Sequence, residues 1–244
     1  YYPGPLKQIY RSVGPGNTSA LATGSSYGSL TISGTTATFA NNLPDNIGVG
    51  DAIQYDSDGN GTIDSIAFIS GRTSATQYTV QSSSGGTPTS VSGDTDWSIF
   101  RAYTSLYNAE RGTENTGISS NVRDFDTWSG GRDLVANNEV WNIALYGDGA
   151  DTTEVVIDGW TTNPNNYIKI YTPVSASEVG TSQRHNGVWS TSAYRMTAAP
   201  SYDYDDQIDI RVQYARIDGL QFSRPSTYSG YCIYHEYPEG NGEI

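Results

Sequence analysis

The sequence is poor in cysteine, in cationic residues and in long apolar runs. Its single cysteine, Cys232, excludes a disulfide within the chain. The surrounding GYCIYHEY predicts a buried strand position for Cys232, with an interchain bridge or a reactive thiol as the alternatives. Lys and Arg total 13 against 26 Asp and Glu, a net charge of −13 that argues against a nucleic-acid partner, because phosphate binding requires a basic surface. No run of about 18 apolar residues occurs, so no membrane-spanning helix is predicted.

What the sequence has in abundance are residues typical of strands and turns. It contains 19 Tyr and 27 Gly, together with many Ser, Thr and Asn, and these favour an all-β fold over a helical one. An acidic surface suits solubility outside the cell and can hold divalent cations. It would repel a polyanionic substrate such as pectate unless calcium bridged the two.

Short runs of alternating apolar residues recur in the second half of the chain. In YIKIY, Ile168 and Ile170 point to one side and Lys169 to the other, which predicts a strand with one buried face. The tripeptide Ile-Asp-Gly closes two of these runs, at 157–159 and at 217–219, where a glycine permits a sharp corner with positive φ. The runs are EVWNIAL (139–145), TEVVIDGW (153–160), YIKIY (167–171), QIDIRV (207–212) and YARIDGLQF (214–222).

The segment from about Val140 to Tyr234, and YARIDGLQF above all, resembles the opening coils of a right-handed parallel β-helix of the pectin-lyase-like kind. The Ser-, Thr- and Gly-rich stretch before it resembles the N-terminal part of large secreted or surface β-helix repeat proteins of bacteria. The resemblance implies a β-helix of few coils and a secreted or cell-surface location. It implies no single activity, since such folds include lyases, hydrolases, adhesins, phage spikes and structural fibres.

The chain divides into four predicted parts. Residues 1–17 form an arm and a first strand, KQIYRSV (7–13), and residues 139–244 form the coils. Residues 18–98 form a small antiparallel β-module, inserted into the β-helix or preceding it, whose turn spacing is typical of a sandwich or small barrel. Its predicted strands are SLTIS (29–33), TATFA (36–40), DAIQYD (51–56), TIDSIAFIS (62–70), QYTVQ (77–81) and WSIF (97–100).

Residues 99–138 are predicted to form a short capping helix and a loop. The helix candidate is RAYTSLYNAERG (101–112), in which Ala102, Leu106 and Ala109 share one face and Gly112 is the stop. It would cover the open end of the coils. The loop from 113 to 138 is interpreted as solvated, with local ion pairs among its charged residues, which include Arg123, Asp124, Asp126, Arg132 and Asp133 beside Trp128.

The most specific local motif lies inside the β-module. Residues 56–64, DSDGNGTID, match the first nine positions of an EF-hand calcium loop, and the predicted Ca²⁺ ligands are Asp56, Asp58, Asn60, Thr62 (through its carbonyl) and Asp64. Position twelve, where a bidentate Glu is expected, is Ala67, and the flanks resemble strands. The alternative interpretation is a plain β-hairpin with a polar Asp-Gly-Asn-Gly tip.

Three other groups of residues are weaker candidates. Arg184, His185 and Trp189 in SQRHNGVWS could contact a ligand, because an aromatic plane beside hydrogen-bonding groups can stack on a sugar ring. A turn held by hydrogen bonds is the alternative for that segment. Asp203, Asp205 and Asp206 are candidates for holding calcium or for acid/base groups. Arg211 and Arg216 are candidates for the base that the resemblance to polysaccharide lyases implies, and no motif fixes either of them in that role.

Two classes of function follow. The first is an extracellular structural or adhesive protein that self-associates into filaments, because the last coil leaves strand edges available for pairing. The second is a carbohydrate-active β-helix protein, either a polysaccharide lyase or hydrolase or a glycan-binding module. A phage spike or fibre segment is a further alternative. No nucleophile triad, phosphate loop or zinc site is recognisable in the sequence, which favours a role without catalysis.

Overall fold

The computed structural model describes residues 4–126, 128, 130–199, 206–224 and 229–236, and within them the chain is mostly β with a few short helices. The helices are α1 (Gly24–Tyr27), α2 (Leu106–Glu110) and α3 (Leu134–Asn137). The strands are β1 (Lys7–Val13), β2 (Ala22–Thr23), β3 (Leu30–Ser33), β4 (Thr36–Phe39), β5 (Ala52–Tyr55), β6 (Ser65–Arg72), β7 (Gln77–Gln81), β8 (Val91–Asp94), β9 (Ser98–Phe100), β10 (Glu139–Leu145), β11 (Ala150–Asp151), β12 (Val155–Ile157), β13 (Ile168–Tyr171), β14 (Arg195–Met196), β15 (Ile208–Ile210), β16 (Ala215–Asp218), β17 (Gln221–Phe222) and β18 (Ile233–His235).

Three parallel sheets are built from the strands of the second half together with β1. Their orders are β1-β10-β13-β16, β11-β14-β17 and β12-β15-β18. From β10 onward the chain visits the three sheets in the same cyclic order three times, and each return adds a strand beside its predecessor. The predicted stacking of these runs is therefore confirmed as parallel pairing.

Alternate side chains of the parallel strands point into one shared core. Ile143, Ile170 and Ile217 occupy equivalent register positions in successive strands of the first sheet. Ile143 and Ile170 are buried, whereas Ile217, in the last strand, is only partly buried. The inward row of β12, β15 and β18 behaves alike, because Ile208 is buried and its partner Ile233 is 39% exposed. The inward side chains of the last strand in these two sheets are thus less buried than those of the strand before it.

The segment between β1 and β10 folds into a single antiparallel sheet of eight strands, in the order β2-β9-β5-β6-β7-β4-β3-β8. All six strands predicted there are present; β2 and β8 were not predicted, because neither AT nor VSGD has an apolar alternation. β1 and β10 are hydrogen-bonded neighbours, so this sheet stands in the sequence between two adjacent strands of a parallel sheet. The predicted antiparallel pairing is confirmed. The strands form one sheet of eight strands, whereas a sandwich has two sheets.

Arg101 joins the antiparallel sheet to the parallel sheets. Its Nη1 donates to both carboxylate oxygens of Asp51 at 2.8 Å, and its Nε donates to Asp148 Oδ2 at 2.9 Å. The guanidinium lies 3.6 Å from the ring centroid of Tyr146, and the Arg101 and Asp51 side chains are fully buried. Asp51 precedes β5 in the antiparallel sheet, and Asp148 follows β10 in a parallel sheet. The Arg101 side chain therefore fixes the position of the antiparallel sheet relative to the parallel sheets.

The predicted helix over 101–112 is wrong in its first half. Tyr103 forms a parallel bridge with Val13, and its N–H donates to the carbonyl oxygen of Ser12 at 3.0 Å, so the chain before α2 extends along β1. The helix begins only at Leu106, with the Ser105 side chain as N-cap. Non-local pairing to β1 outweighed the local helical periodicity.

The segment 113–138 is not a solvated loop with only local ion pairs. Asp126 is buried and bonds Arg11, a residue 115 positions away. Trp128 packs edge-on against Trp141 at a centroid distance of 4.5 Å and also contacts Trp160. Arg123 donates to the Thr116 and Ile118 carbonyl groups, Asp133 caps the unpredicted α3, and Arg132 pairs locally with Glu139, while Asp124 is exposed.

Both Ile-Asp-Gly tripeptides form corners with the predicted positive φ, +73° at Gly159 and +80° at Gly219. They are different corners, because the first ends β12 and the second ends β16. Cys232 precedes β18 and is only partly buried, so the prediction of a buried strand position is wrong. The predicted arm at residues 1–3 and the acidic residues Asp203 and Asp205 lie outside the described residues.

Candidate functional site

The DSDGNGTID motif forms the nine-residue tip of the β5–β6 hairpin, whose last ladder pair is Tyr55 and Ser65. The carboxylate of Asp56 is turned back into the loop and accepts backbone N–H groups, from Gly59 at 2.8 Å and from Gly61 at 2.6 Å. Asp64 accepts from the Ser57 N–H at 2.9 Å. The flanks are strands and Ala67 is buried within β6, so the chain provides no bidentate ligand at position twelve.

Three of the predicted calcium ligands converge at this tip. One carboxylate oxygen each from Asp56, Asp58 and Asp64 lies within 4.8 Å of the others. Asn60 is directed within the loop, where its Oδ1 accepts the Thr62 N–H at 2.9 Å. Desolvation opposes ionisation of Asp56, but the hydrogen bonds from Gly61, Gly59 and their neighbours lower the pKa of that carboxyl overall. The hydrogen bond from Ser57 likewise lowers the pKa of Asp64.

Two further carboxylates, which sequence reasoning missed, face the tip from the segment that contains β8. Asp94 and Asp96 line a cleft of about 360 Å³ together with Asp56 and Asp58. The Asp56 N–H donates to Asp94 Oδ2 at 3.3 Å. The β5–β9 pairing, in which Gln54 lies opposite Ser98, brings the segment that precedes β9 beside the tip. Oxygen ligands from both walls make the cleft chemically suited to a hard cation such as Ca²⁺.

Arg184, His185 and Trp189 lie on the segment that covers the corner at Gly219. Arg184 pairs with Asp218 at 2.7 Å and donates from Nε to Thr172 Oγ1 at 3.1 Å. The Gly187 N–H donates to His185 Nδ1 at 3.0 Å, and Trp189 is 47% exposed. The structure therefore uses Arg184 to hold the corner and His185 to hold a local turn.

A groove lies on the outer face of the β12-β15-β18 sheet, and we call it the rung groove. Its volume is about 340 Å³, and α2 forms one wall with Tyr107 and Glu110. Val156 and Asp209, register partners that point outward, form its floor. The charged residues among the described lining are Glu110, Arg111, Glu154, Asp206, Asp209 and Arg211.

The described lining of the rung groove contains two of the weaker candidates from the sequence, Asp206 and Arg211, and three acids that the sequence did not indicate, Glu110, Glu154 and Asp209. Burial raises the pKa of Asp209, although its partner Arg211 opposes the shift, and burial also raises the pKa of Glu110. Arg211 is paired with Asp209 at 2.7 Å and with Glu236 at 3.3 Å. Arg216 is elsewhere, with its guanidinium 3.6 Å from the Tyr167 ring centroid.

The last strand of each parallel sheet has a pairing partner on one side only among the described residues. The apolar side chains on these strands are less buried than their counterparts one strand earlier: Ile217 and Phe222 are partly buried, and Ile233 is exposed. Tyr231 and Tyr234 stack on each other beside this edge, with ring centroids 5.7 Å apart and 61% and 40% exposure. We call β16, β17 and β18 together the terminal rung.

Among the described residues, no helix has both the length and the apolar character needed to cross a lipid bilayer. Comparison of the chain with protein-family models, with curated proteins and with solved structures finds no match. The geometry of the chain itself therefore provides the basis for a functional proposal.

Proposed function

We propose that the protein is an extracellular structural or adhesive protein, that its parallel sheets wind as a few coils of a right-handed β-helix, and that it associates with a second copy through the terminal rung. The cyclic visiting order of the three sheets supports the coil. The right-handed sense agrees with the strong preference of parallel crossover connections. The resemblance to secreted and surface repeat proteins supports the location.

The observation that carries the proposal is the loss of burial at the terminal rung. Among the described residues its strands have a neighbouring strand on one side only, and partly exposed Ile217, Phe222 and Ile233 offer apolar surface. A strand edge with exposed apolar side chains is a template for another strand. Pairing to a second copy would bury both the edge and these side chains.

The opposite end of the coils is covered, which restricts how copies can pair. At β1, the Ser12 N–H donates to the Gly50 carbonyl and the Ser12 carbonyl accepts from Tyr103. The helix α2 packs beside β12, as the predicted cap would. Pairing between two terminal rungs, related by a two-fold axis, is therefore favoured over head-to-tail stacking. Growth into filaments would require displacement of this cover.

The alternative of a polysaccharide lyase receives less support from the rung groove. A catalytic base must be able to lose its proton, yet the hydrogen bond to Asp209 raises the pKa of Arg211. The acidic lining of the groove would also repel a uronic acid polymer. A calcium ion at the hairpin tip is compatible with the structural role, because it would neutralise three converging carboxylates.

Sedimentation velocity over a concentration series tests the proposal, with electron microscopy of the same samples. A concentration-dependent dimer is expected. A trimer would instead indicate the phage spike or fibre alternative, and filaments would show that the covered end can open. A protein that stays monomeric at high concentration would contradict self-association.

A further inference from the structure

The rung groove has the composition of a binding site for a cation. Among the described residues, its lining has four carboxylates, those of Glu110, Glu154, Asp206 and Asp209, and two guanidinium groups. One of these guanidinium groups, Arg211, is already paired with Asp209 and with Glu236, which is not among the lining residues. Acidic side chains thus outnumber basic ones in the described lining, on a chain whose net charge is −13. The potential in the groove therefore attracts cations and repels anions.

Asp209 has a hydrogen-bonding capacity that the described residues do not use. The residue is 9% exposed, and its Oδ2 accepts from Arg211 Nε at 2.8 Å. Its Oδ1 is buried and has no hydrogen-bond partner among the residues that the structure describes. A buried carboxylate oxygen without a donor is costly, and a charged donor that reached it would be bound correspondingly well.

Glu110 approaches the same groove from α2 and is also buried. Its Oε1 is at the long distance of 3.4 Å from both the Asp158 N–H and the Trp160 Nε1–H. Its carboxyl and that of Asp209 both have raised pKa values because of burial. Two desolvated carboxyl groups that line one groove of suitable size are a recognised signature of a binding site.

We propose that the rung groove binds an organic ligand through a primary ammonium group, which donates to Asp209 and Glu110. An ammonium carries three donors and one charge, which matches one carboxylate on the floor of the groove and one on its wall. Calcium fits less well, since it requires six to eight oxygen ligands and here would lie beside two guanidinium groups. The side chains of Tyr107 and Val156 would contact the carbon skeleton of the ligand.

The ammonium group could belong to an amino sugar or to an aliphatic amine, and ligand-observed NMR distinguishes these sources. Glucosamine and putrescine are the probes, and glucose and butanediol are their uncharged counterparts. Saturation transfer to either amine, and to neither neutral counterpart, supports the proposal, and the stronger of the two identifies the source. Equal transfer to glucose and glucosamine, or no transfer to either amine, overturns it. So does a calcium ion that displaces the bound amine.

Variants test which groups hold the ammonium. Asp209→Asn keeps the size of the side chain and is expected to weaken amine binding by about tenfold or more, the usual scale for loss of a charged hydrogen bond. Asp124→Asn is the matched control, since it makes the same change at an exposed acid that does not line the groove, and it should leave binding unchanged. If Asp209→Asn does not fold, Glu110→Gln replaces it with the same expectation. Equal binding by the folded Asp209 or Glu110 variant and the control overturns the proposal.

Discussion

Arg11 and Asp126, which are 115 positions apart in sequence, form a buried bidentate ion pair with Nε–Oδ2 and Nη2–Oδ1 distances of 2.7 Å. Neither side chain is more than 3% exposed. Arg11 occupies the inward row of β1, next to Ile143, and its guanidinium lies 3.8 Å from the Phe68 ring centroid. The Tyr103 hydroxyl donates to the same carboxylate. The pair therefore connects β1, the antiparallel sheet and the segment before β10.

Removal of one partner of this pair should destabilise the protein strongly. We expect Arg11→Met or Asp126→Asn to lower the free energy of unfolding by about 3–5 kcal/mol, because the remaining group is left buried and unpaired. Urea denaturation measures the loss. The control is Asp45→Asn, which removes the exposed partner of Arg72 and should cost about 0–1 kcal/mol. Similar losses in the control and the Arg11 variant would refute the assignment.

Gly219 should tolerate no side chain. Its φ is +80°, and a Cβ there would lie 2.1 Å from Arg184 Nε and 2.3 Å from Thr172 Oγ1. We expect Gly219→Ala to lower the free energy of unfolding by about 1–3 kcal/mol, from backbone strain together with the displaced Arg184. Gly187→Ala is the control, since φ is +91° there but no atom of the described residues lies within 4 Å of the added Cβ. Thermal unfolding of the two variants separates steric contact from strain, and equal losses would show that contact with Arg184 is unimportant.

Glu114 should make stability depend on pH. Burial raises the pKa of Glu114 to about 7, against the hydrogen bonds from the N–H groups of Asp126 and Phe125, which lower it. The folded state thus holds this proton more tightly than the unfolded state, whose pKa is about 4.3. The stability that Glu114 contributes by holding this proton is fully present below the pKa of the unfolded state. It is lost as the pH rises through the pKa of the folded state.

We expect Glu114→Gln, which keeps an acceptor for both N–H groups, to be more stable than the native protein above about pH 7, because it removes the charge that burial disfavours. The advantage should shrink as the pH falls below the folded pKa. Urea denaturation across this pH range measures it. A difference that is constant with pH would exclude Glu114 as the titrating group.

Calcium should stabilise the hairpin tip. We expect addition of Ca²⁺ to raise the melting temperature and EDTA to reverse the rise, because a bound ion stabilises the folded state by mass action. Asp58→Asn should abolish the response, whereas Asp124→Asn, an exposed acid outside both clefts, should preserve it. A melting temperature of the native protein that does not change with calcium would favour the interpretation of this motif as a plain β-hairpin.

The strands were predictable from short apolar runs bounded by polar turns. The bounds of β1, β7 and β10 agree with the predicted runs to the residue, because such a run is a local property of the sequence. The hairpin at 56–64 was predictable for the same reason, with two strands directly adjoining a turn-rich tip. The glycine corners at 159 and 219 followed from the need for positive φ.

The remaining features depend on contacts that no local pattern encodes. Tyr103 extends along β1 and shortens the predicted helix, and this competition is visible only once β1 is placed. The rung groove is lined by residues from distant parts of the chain, since Glu110 on α2 and Asp209 on β15 are 99 positions apart. The sequence predicted a solvated Asp126, because its buried partner Arg11 is 115 positions away. Periodicity indicates which side of a strand is buried but not which distant residue covers it.

Sedimentation equilibrium of the native protein and two matched variants tests the central claim most directly. Ile233 on the terminal rung and Val135 on α3 are each 39% exposed, so the two arginine variants are matched in exposure and in charge. We predict that the native protein and Val135→Arg form dimers, whereas Ile233→Arg remains monomeric because a charge would be buried at the paired edge. A monomeric native protein at every concentration, or an Ile233→Arg variant that dimerises as well as Val135→Arg, would contradict association through the terminal rung.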